Sequence, residues 1–330
     1  MRQKLPGLLL ALLLPTLATG CNQSNSTSAS SNTEASPVSV TTKSSSQSPQ
    51  LKVVTTFLPM YWFTKAVAGD LAQVEVLVPP GTEVHEYQAK PKDVQAIAQA
   101  NLLVKNGLGL EEFLSNTVKN AQNPKLKEID ASKGIQPLQE ISPVVKPIGK
   151  TDKHDHDHDH ASGNPHVWLD PVLAIEQVKN IRDGLIAIDP TNQATYEANA
   201  AAYIQQLQEL DRQFKQTLQP YTNCTFVTFH DAYPYLAKRY QLKQVAVVEV
   251  PEDQLSPSDV EKTISTVKKY KVKALFGEPG VDNKLLTSLS QDLNLTLRPL
   301  DSLESGDLEP QYYFTGMTNN LQTLASACKP

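Results

Sequence analysis

The sequence predicts an α/β protein with two similar lobes, each a roughly four-stranded parallel sheet flanked by helices, joined by one long helix. Two observations predict the lobes: short apolar runs alternate with helical patterns after residue 51, and the same alternation returns after residue 220. Strands separated by helices of this length pair in parallel in layered α/β domains. A third observation, a long amphipathic stretch at 191–218, predicts the helix that joins the lobes.

The first lobe is assigned to residues 51–190. Its apolar runs predict strands at 53–57, 74–78 and 102–105, with a weaker strand within 126–138. Helical patterns lie between them at 61–68, 91–100 and 110–121. A polar loop at 150–163 interrupts the lobe, and Asp170-Pro171 then opens a helix that ends near Asp189-Pro190.

The linking helix is assigned to 191–219. Apolar residues recur there at steps of three or four and form one stripe: Tyr196, Ala200, Tyr203, Leu207, Leu210, Phe214 and Leu218. Pro220 ends the pattern. A helix of this length between two α/β lobes is interpreted as a rigid strut, and an ordinary packed helix remains the alternative.

The second lobe, residues 220–330, repeats the alternation of the first. We expect strands at 225–229, 244–250, 273–276 and 295–300, and helices at 232–240, 259–270, 283–293 and 311–327.

The first fifty residues predict export. Residues 1–20 combine Arg2 and Lys4 with a leucine-rich run, which is typical of a secretory signal and too short for a membrane span. Cys21 directly follows Ala-Thr-Gly, which resembles a bacterial lipobox and predicts lipidation of Cys21; ordinary cleavage nearby is the alternative. Residues 21–50 are polar and predict a disordered tether. The formal net charge of −5 argues against a nucleic-acid partner.

Two further cysteines, Cys224 and Cys328, remain after Cys21. The compartment beyond the inner membrane permits disulfides, so we expect these two to pair. Two buried thiols that never meet are the alternative. Neither cysteine lies in a CxxC-type pair, which disfavours cysteine as a metal ligand.

A run of alternating histidine and aspartate within 153–160 indicates metal handling. Imidazole and carboxylate groups suit a borderline divalent cation such as Zn²⁺, and so polar a segment cannot build a core. The run holds four of the seven histidines of the chain: His154, His156, His158 and His160. A solvated acidic loop is the alternative.

The other three histidines, His85, His166 and His230, each lie in a loop or at the end of an element. His230 directly follows a predicted strand, at the sheet edge where open α/β folds bind ligands. Tetrahedral zinc needs a fourth ligand, and Asp301 follows the last predicted strand, with Glu278 as a rival. Asp301 has three open roles: it binds the metal, it hydrogen-bonds a ligand histidine, or it caps a turn.

Four segments together resemble the solute-binding lipoproteins of bacterial zinc and manganese ABC importers: VLVPPGTEVHEYQAKP, NPHVWLDP, FVTFHDAYPYLAKRYQL and RPLDSL. The resemblance implies two four-stranded lobes joined by one long helix, with the metal in the cleft between them. It implies His85, His166, His230 and Asp301 as ligands, with water as the alternative to Asp301 at the fourth position. Manganese members usually have glutamate at the position of His230, whereas zinc members have histidine there and carry a histidine-rich loop before the second ligand.

The predicted function is therefore extracytoplasmic capture of Zn²⁺ for delivery to an ABC permease with a separate ATPase. We expect a monomer that is lipid-anchored in the periplasm or at the outer face of the cytoplasmic membrane, and no enzyme activity. The alternatives are a manganese-binding member of the family, a lipid-anchored zinc hydrolase, and a zinc-storing surface adhesin. No HExxH pair supports the hydrolase.

Overall fold

A computed structural model describes residues 50–85, 87–139, 163–248, 257–270, 272, 274–280 and 284–329. The predicted signal segment, Cys21, nearly all of the tether and the four histidines of the alternating run lie outside the described residues. Gln47–Pro330 forms one compact unit, and the following description concerns that unit. No helix in the described part of the chain combines the length and the apolar character needed to cross a membrane.

The first parallel sheet has four strands in the order β2-β1-β3-β4. The strands are β1 (Leu51–Thr55), β2 (Ala72–Val76), β3 (Leu102–Lys105) and β4 (Lys127–Asp130). Helices α1 (Leu58–Ala68), α2 (Pro91–Gln99) and α3 (Leu114–Ala121) connect them. Val53 lies opposite both Val74 of β2 and Leu102 of β3.

The start of α3 differs from the prediction of a helix from residue 110. Residues 110–113 form a turn instead, in which Leu110 N–H donates to Gly107 O (3.3 Å) and Leu114 N–H donates to Glu111 O (3.1 Å). The buried Glu111 carboxylate accepts the backbone N–H groups of Asn106 and Gly107 and the Thr56 hydroxyl. Glu111 thus connects the residues that follow β3 with Thr56, which follows β1.

Two helices follow, α4 (Pro171–Ile188) and α5 (Gln193–Leu218). The buried residues of α5 are the seven stripe residues of the sequence. Helix α5 packs against α1, α4 and the C-terminal helix α9 (Tyr312–Cys328). The long helix is therefore packed along one whole face while it connects both halves.

The second sheet repeats the topology of the first, with the order β6-β5-β7-β8. Its strands are β5 (Thr225–Thr228), β6 (Lys243–Ala246), β7 (Ala274–Gly277) and β8 (Thr296–Pro299). Helices α6 (Pro234–Arg239), α7 (Pro257–Tyr270) and α8 (Lys284–Asp292) lie between them. Strand β6 is shorter than the predicted 244–250. The predicted α/β fold with two four-stranded parallel sheets and a long joining helix is confirmed, while the domain boundaries at 190 and 219 stay a prediction.

The repeated strand order has a consequence for ligand binding. In each sheet the chain adds a strand on one side of the first strand and then on the other, so a switch point lies between β1 and β3, and another between β5 and β7. Open α/β sheets bind ligands beyond the carboxyl ends of the strands at such points.

Hydrogen bonds from side chains connect the two halves of the chain. The Trp168 indole N–H donates to Ser302 O (2.8 Å), and the Tyr313 hydroxyl donates to Trp168 O (2.7 Å). Arg239 of α6 donates to both carboxylate oxygens of Asp170, which also accepts Val172 N–H at the start of α4. The segment that carries His166 is thus bonded to the second half of the chain.

Candidate metal centre

Four side chains from four loops meet between the two sheets. His85 lies in the loop after β2, and His166 precedes a 3-10 turn at Val167–Leu169. His230 follows β5 by two residues, and Glu304 lies in the loop between β8 and α9. His166, His230 and Glu304 are buried, and His85 is partly exposed. Two ligand candidates therefore come from each half of the chain.

The distances match a single metal ion. His166 Nε2 lies 3.3 Å from His85 Nε2 and 3.1 Å from His230 Nε2, and Glu304 Oε1 lies 3.3 Å from His166 Nε2. All four candidate ligand atoms lie within 4.8 Å of one another. Tetrahedral Zn²⁺ with bonds of about 2.0 Å separates its ligand atoms by about 3.3 Å. Such an ion therefore fits among these groups with small adjustments.

Hydrogen bonds orient two of the imidazoles. His166 Nδ1 faces Asn164 Oδ1 at 3.0 Å, and His230 Nδ1 faces Glu278 Oε1 at 2.5 Å. An acceptor at Nδ1 keeps a proton there and so makes Nε2 the nitrogen that would bind a metal. The His230 backbone is held as well, since its carbonyl accepts the Thr228 hydroxyl.

The electrostatics of the cluster suit a cation. Burial lowers the pKa of His166 to about 3, although Glu304 opposes the shift. Burial would raise the pKa of Glu304, but its contacts with His166 and His85 hold it well below its usual range. Burial also disfavours the His230 imidazolium, but the adjacent Glu278 outweighs it and raises the pKa of His230 to about 9. The site thus offers a neutral imidazole and an ionised carboxylate, and a metal must displace a proton from His230.

The structure brings three of the four predicted ligands together and leaves out Asp301. One oxygen of Asp301 accepts the backbone N–H of Leu303 (2.8 Å) and the other accepts the Tyr312 hydroxyl (3.3 Å). Glu304, three residues later in the same loop, takes the fourth place. The rival Glu278 is a partner of His230 and lies outside the group of four.

Sequence reasoning missed Glu304. A carboxylate in the loop after the last strand was the available signal, and both Asp301 and Glu304 satisfied it. Position in the sequence does not distinguish them, because the path of the loop decides which of the two side chains points toward the histidines.

Cys224 and Cys328 are joined by a disulfide that connects the start of β5 to the end of α9. It lies in the second half of the chain. The histidine run and Cys21 are outside the described residues, so their predicted roles stay predictions.

Comparison with known proteins finds relatives that are named for zinc binding or zinc uptake. The family model for the zinc-uptake complex component A, periplasmic (ZnuA), matches residues 53–327. The zinc-binding lipoprotein AdcA of Streptococcus pneumoniae R6 is 37% identical over 284 residues, which cover 83% of this chain and 55% of AdcA. The high-affinity zinc uptake system protein ZnuA of Bacillus subtilis is 34% identical over 289 residues, covering 84% of this chain and 88% of that protein. The chain thus spans about half the length of the streptococcal relative.

Solved structures show the same architecture. The Zn(II)-bound ZnuA-like domain of Streptococcus pneumoniae AdcA matches with a TM-score of 0.70 and 34% identity, covering 85% of this chain and 100% of that domain. The laminin-binding protein Lmb of Streptococcus agalactiae, described as a bifunctional protein with adhesin and metal transporting activity, matches with a TM-score of 0.73 and 30% identity. That match covers 85% of this chain and 100% of Lmb.

Proposed function

The chain belongs to the family of the periplasmic zinc-uptake complex component A, and we propose that it captures Zn²⁺ outside the cytoplasm for delivery to an ABC permease. The convergence of three imidazole nitrogens and one carboxylate oxygen within 4.8 Å carries the proposal. The ligands are His85, His166, His230 and Glu304. Transport energy comes from a separate ATPase, and the chain acts as a monomer.

The ligand chemistry favours zinc over manganese. Three imidazoles with one carboxylate suit Zn²⁺, whereas Mn²⁺ favours sites richer in oxygen. The zinc-binding names of the relatives from Streptococcus pneumoniae and Bacillus subtilis support the same metal.

A transport role is favoured over hydrolysis. A catalytic zinc keeps one coordination position open for water, whereas Glu304 together with the three histidines completes a tetrahedral set. The chain is therefore proposed to bind and release the ion without chemistry on another substrate. Release requires the two pairs of ligands, one from each half of the chain, to separate when the protein docks on the permease.

The N-terminal segments complete the proposed arrangement. Cys21 carries the lipid anchor, and residues 22–50 tether the folded unit at the outer face of the membrane. The run His154, His156, His158 and His160 raises the local zinc concentration by weak, multivalent capture. The ion then passes to the main site.

Competitive titration with a chelator tests the main site. We expect one tightly bound Zn²⁺ per chain, displacement of Mn²⁺ by Zn²⁺, and loss of tight binding in His230→Ala. Full zinc affinity in His230→Ala, or a preference for Mn²⁺, would overturn the assignment. Turnover of ester or peptide substrates by the zinc-loaded protein would favour the hydrolase.

Deletion of residues 153–160 separates the main site from the histidine run. The deletion variant should keep one tight zinc site and lose only weak additional binding. If all tight binding disappears with the run, the protein is instead a zinc-storing surface protein.

A further inference from the structure

The loop that ends at Glu304 contains a backbone conformation that needs support. Leu303 directly precedes Glu304 and has a φ of +63°, in the left-handed region that L-residues with branched side chains rarely adopt. Leu303 is also fully buried. Strained residues of this kind persist where the surrounding structure holds them, and they concentrate at functional sites.

Side chains from the second half of the chain, and one from the first, bond the backbone of the three residues before Leu303. Asn320 of α9 accepts Asp301 N–H (2.8 Å) and donates to Asp301 O (2.7 Å). The Tyr233 hydroxyl donates to Leu300 O (2.7 Å), and the Trp168 indole donates to Ser302 O (2.8 Å). The path of the backbone into the turn is therefore defined by buried hydrogen bonds.

Asp301 closes the turn itself. Its Oδ1 accepts Leu303 N–H at 2.8 Å, which is the two-residue side-chain-to-backbone bond of an Asx turn. This bond acts on the residue with the positive φ. A neutral amide oxygen at the same position can accept the same bond, so the bond does not require a negative charge.

Glu304 depends on its backbone for its position. Apart from the imidazoles that it faces, no described residue donates a hydrogen bond to either of its buried carboxylate oxygens. Its aim at His166 and His85 must therefore come from the direction in which the turn presents it. Gly316 of α9 leaves the room that Leu303 occupies, since a Cβ there would clash with Leu303 Cδ2.

We propose that Asp301 is a positioning residue that closes the Leu303 turn and so aims Glu304 at the metal. This inference rests on the proposed function and assigns Asp301 a role other than that of ligand. Partners that orient metal ligands are commonly worth about 10–100-fold in metal affinity.

Two substitutions separate the turn from the charge. Asp301→Asn removes the charge but keeps an oxygen that accepts Leu303 N–H, so zinc affinity should stay within about threefold of the unaltered protein. Asp301→Glu keeps the charge but moves the oxygen out of the turn, so affinity should fall about 10–100-fold. A direct ligand or a purely electrostatic role predicts the opposite order and would overturn the inference.

Asp301→Asn and Asp301→Glu in a Glu304→Gln background test whether Asp301 affects zinc affinity through Glu304. Asp301→Glu should then cost less than about threefold, because the carboxylate that it positions is gone; an undiminished cost would contradict the inference. In the cobalt-loaded proteins, Asp301→Glu should reproduce the visible absorption spectrum of Glu304→Gln, and Asp301→Asn that of the unaltered chain. Thermal unfolding without metal shows whether each variant is folded. If Asp301→Glu does not fold, the zinc affinity of Asp301→Asn still tests the inference, since a loss there would contradict it.

The two proposals fail in different ways. If the unaltered chain does not bind one Zn²⁺ tightly, the proposed function is wrong. If it does and Asp301→Glu binds equally well, only the positioning role is wrong.

Discussion

Replacement of Asn164 by alanine should weaken zinc binding through His166. Asn164 Oδ1 accepts the His166 backbone N–H at 3.0 Å and faces His166 Nδ1 at 3.0 Å, while Asn164 Nδ2 donates to Asp231 O at 2.7 Å. The side chain therefore fixes both the tautomer and the direction of the imidazole. It also ties the His166 segment to the residue that follows His230.

The magnitude follows from these contacts. Loss of the partner of a ligating histidine costs about 10–100-fold in metal affinity, or about 1.4–2.7 kcal/mol. Three hydrogen bonds of a buried amide are lost as well, at about 0.5–1.5 kcal/mol each, so the free energy of unfolding without metal should fall by about 1.5–4.5 kcal/mol. Chelator competition measures the first quantity, and denaturant unfolding of the metal-free protein measures the second.

Tyr235→Phe provides a matched control. The Tyr235 hydroxyl donates to Asn164 O (2.6 Å) and accepts Leu138 N–H (2.9 Å), so its loss weakens the same region without touching His166. We expect Tyr235→Phe to lower stability by about 1–3 kcal/mol and to leave zinc affinity within about threefold. The reasoning is refuted if Asn164→Ala and Tyr235→Phe have the same zinc affinity.

Three further predictions concern stability. Replacement of Cys224 and Cys328 by serine should lower the free energy of unfolding in urea by about 4.7 kcal/mol, since the disulfide closes a loop of 104 residues; a loss below about 1 kcal/mol would contradict the chain-entropy account. Burial raises the pKa of Glu111 from 4.5 to about 7, against hydrogen bonds from Asn106, Gly107 and Thr56. Between these two pH values Glu111 is protonated in the folded state and ionised in the unfolded state. The free energy of unfolding is therefore highest below the unfolded-state pKa of Glu111 and falls as the pH rises to its folded-state pKa. The stability of the unaltered protein relative to Glu111→Gln should thus decline by about 3 kcal/mol between about pH 4.5 and 7, and a flat difference would exclude this. Arg239→Met should cost about 3 kcal/mol in denaturant unfolding because it leaves the buried Asp170 carboxylate without its cation, whereas the exposed Lys238→Met should change stability by less than about 0.5 kcal/mol.

Much of the fold followed from local patterns in the sequence. The apolar stripe of α5 was visible because helical periodicity is a property of consecutive residues, and all seven stripe residues are buried. Strand β3 was placed at 102–105, where the structure has it, because a short apolar run between helical patterns predicts a buried parallel strand. The start of α3 was misplaced, since the Glu111 side chain is bonded to the backbone of Asn106 and Gly107 and residues 110–113 form a turn, which periodicity does not record.

The candidate site was also predicted only in part from the sequence. His85, His166 and His230 could be selected from the sequence because histidine is scarce in this chain and each one lies at the end of an element, where ligands bind. The choice between Asp301 and Glu304 could not be made that way, since both are carboxylates in one loop. In the structure Glu304 lies with the three imidazoles, in a loop where Leu303 has a left-handed backbone and Asn320 bonds the backbone of Asp301. These features depend on how the loop packs against α9 and Trp168, so only the tertiary structure decides which carboxylate lies beside the imidazoles.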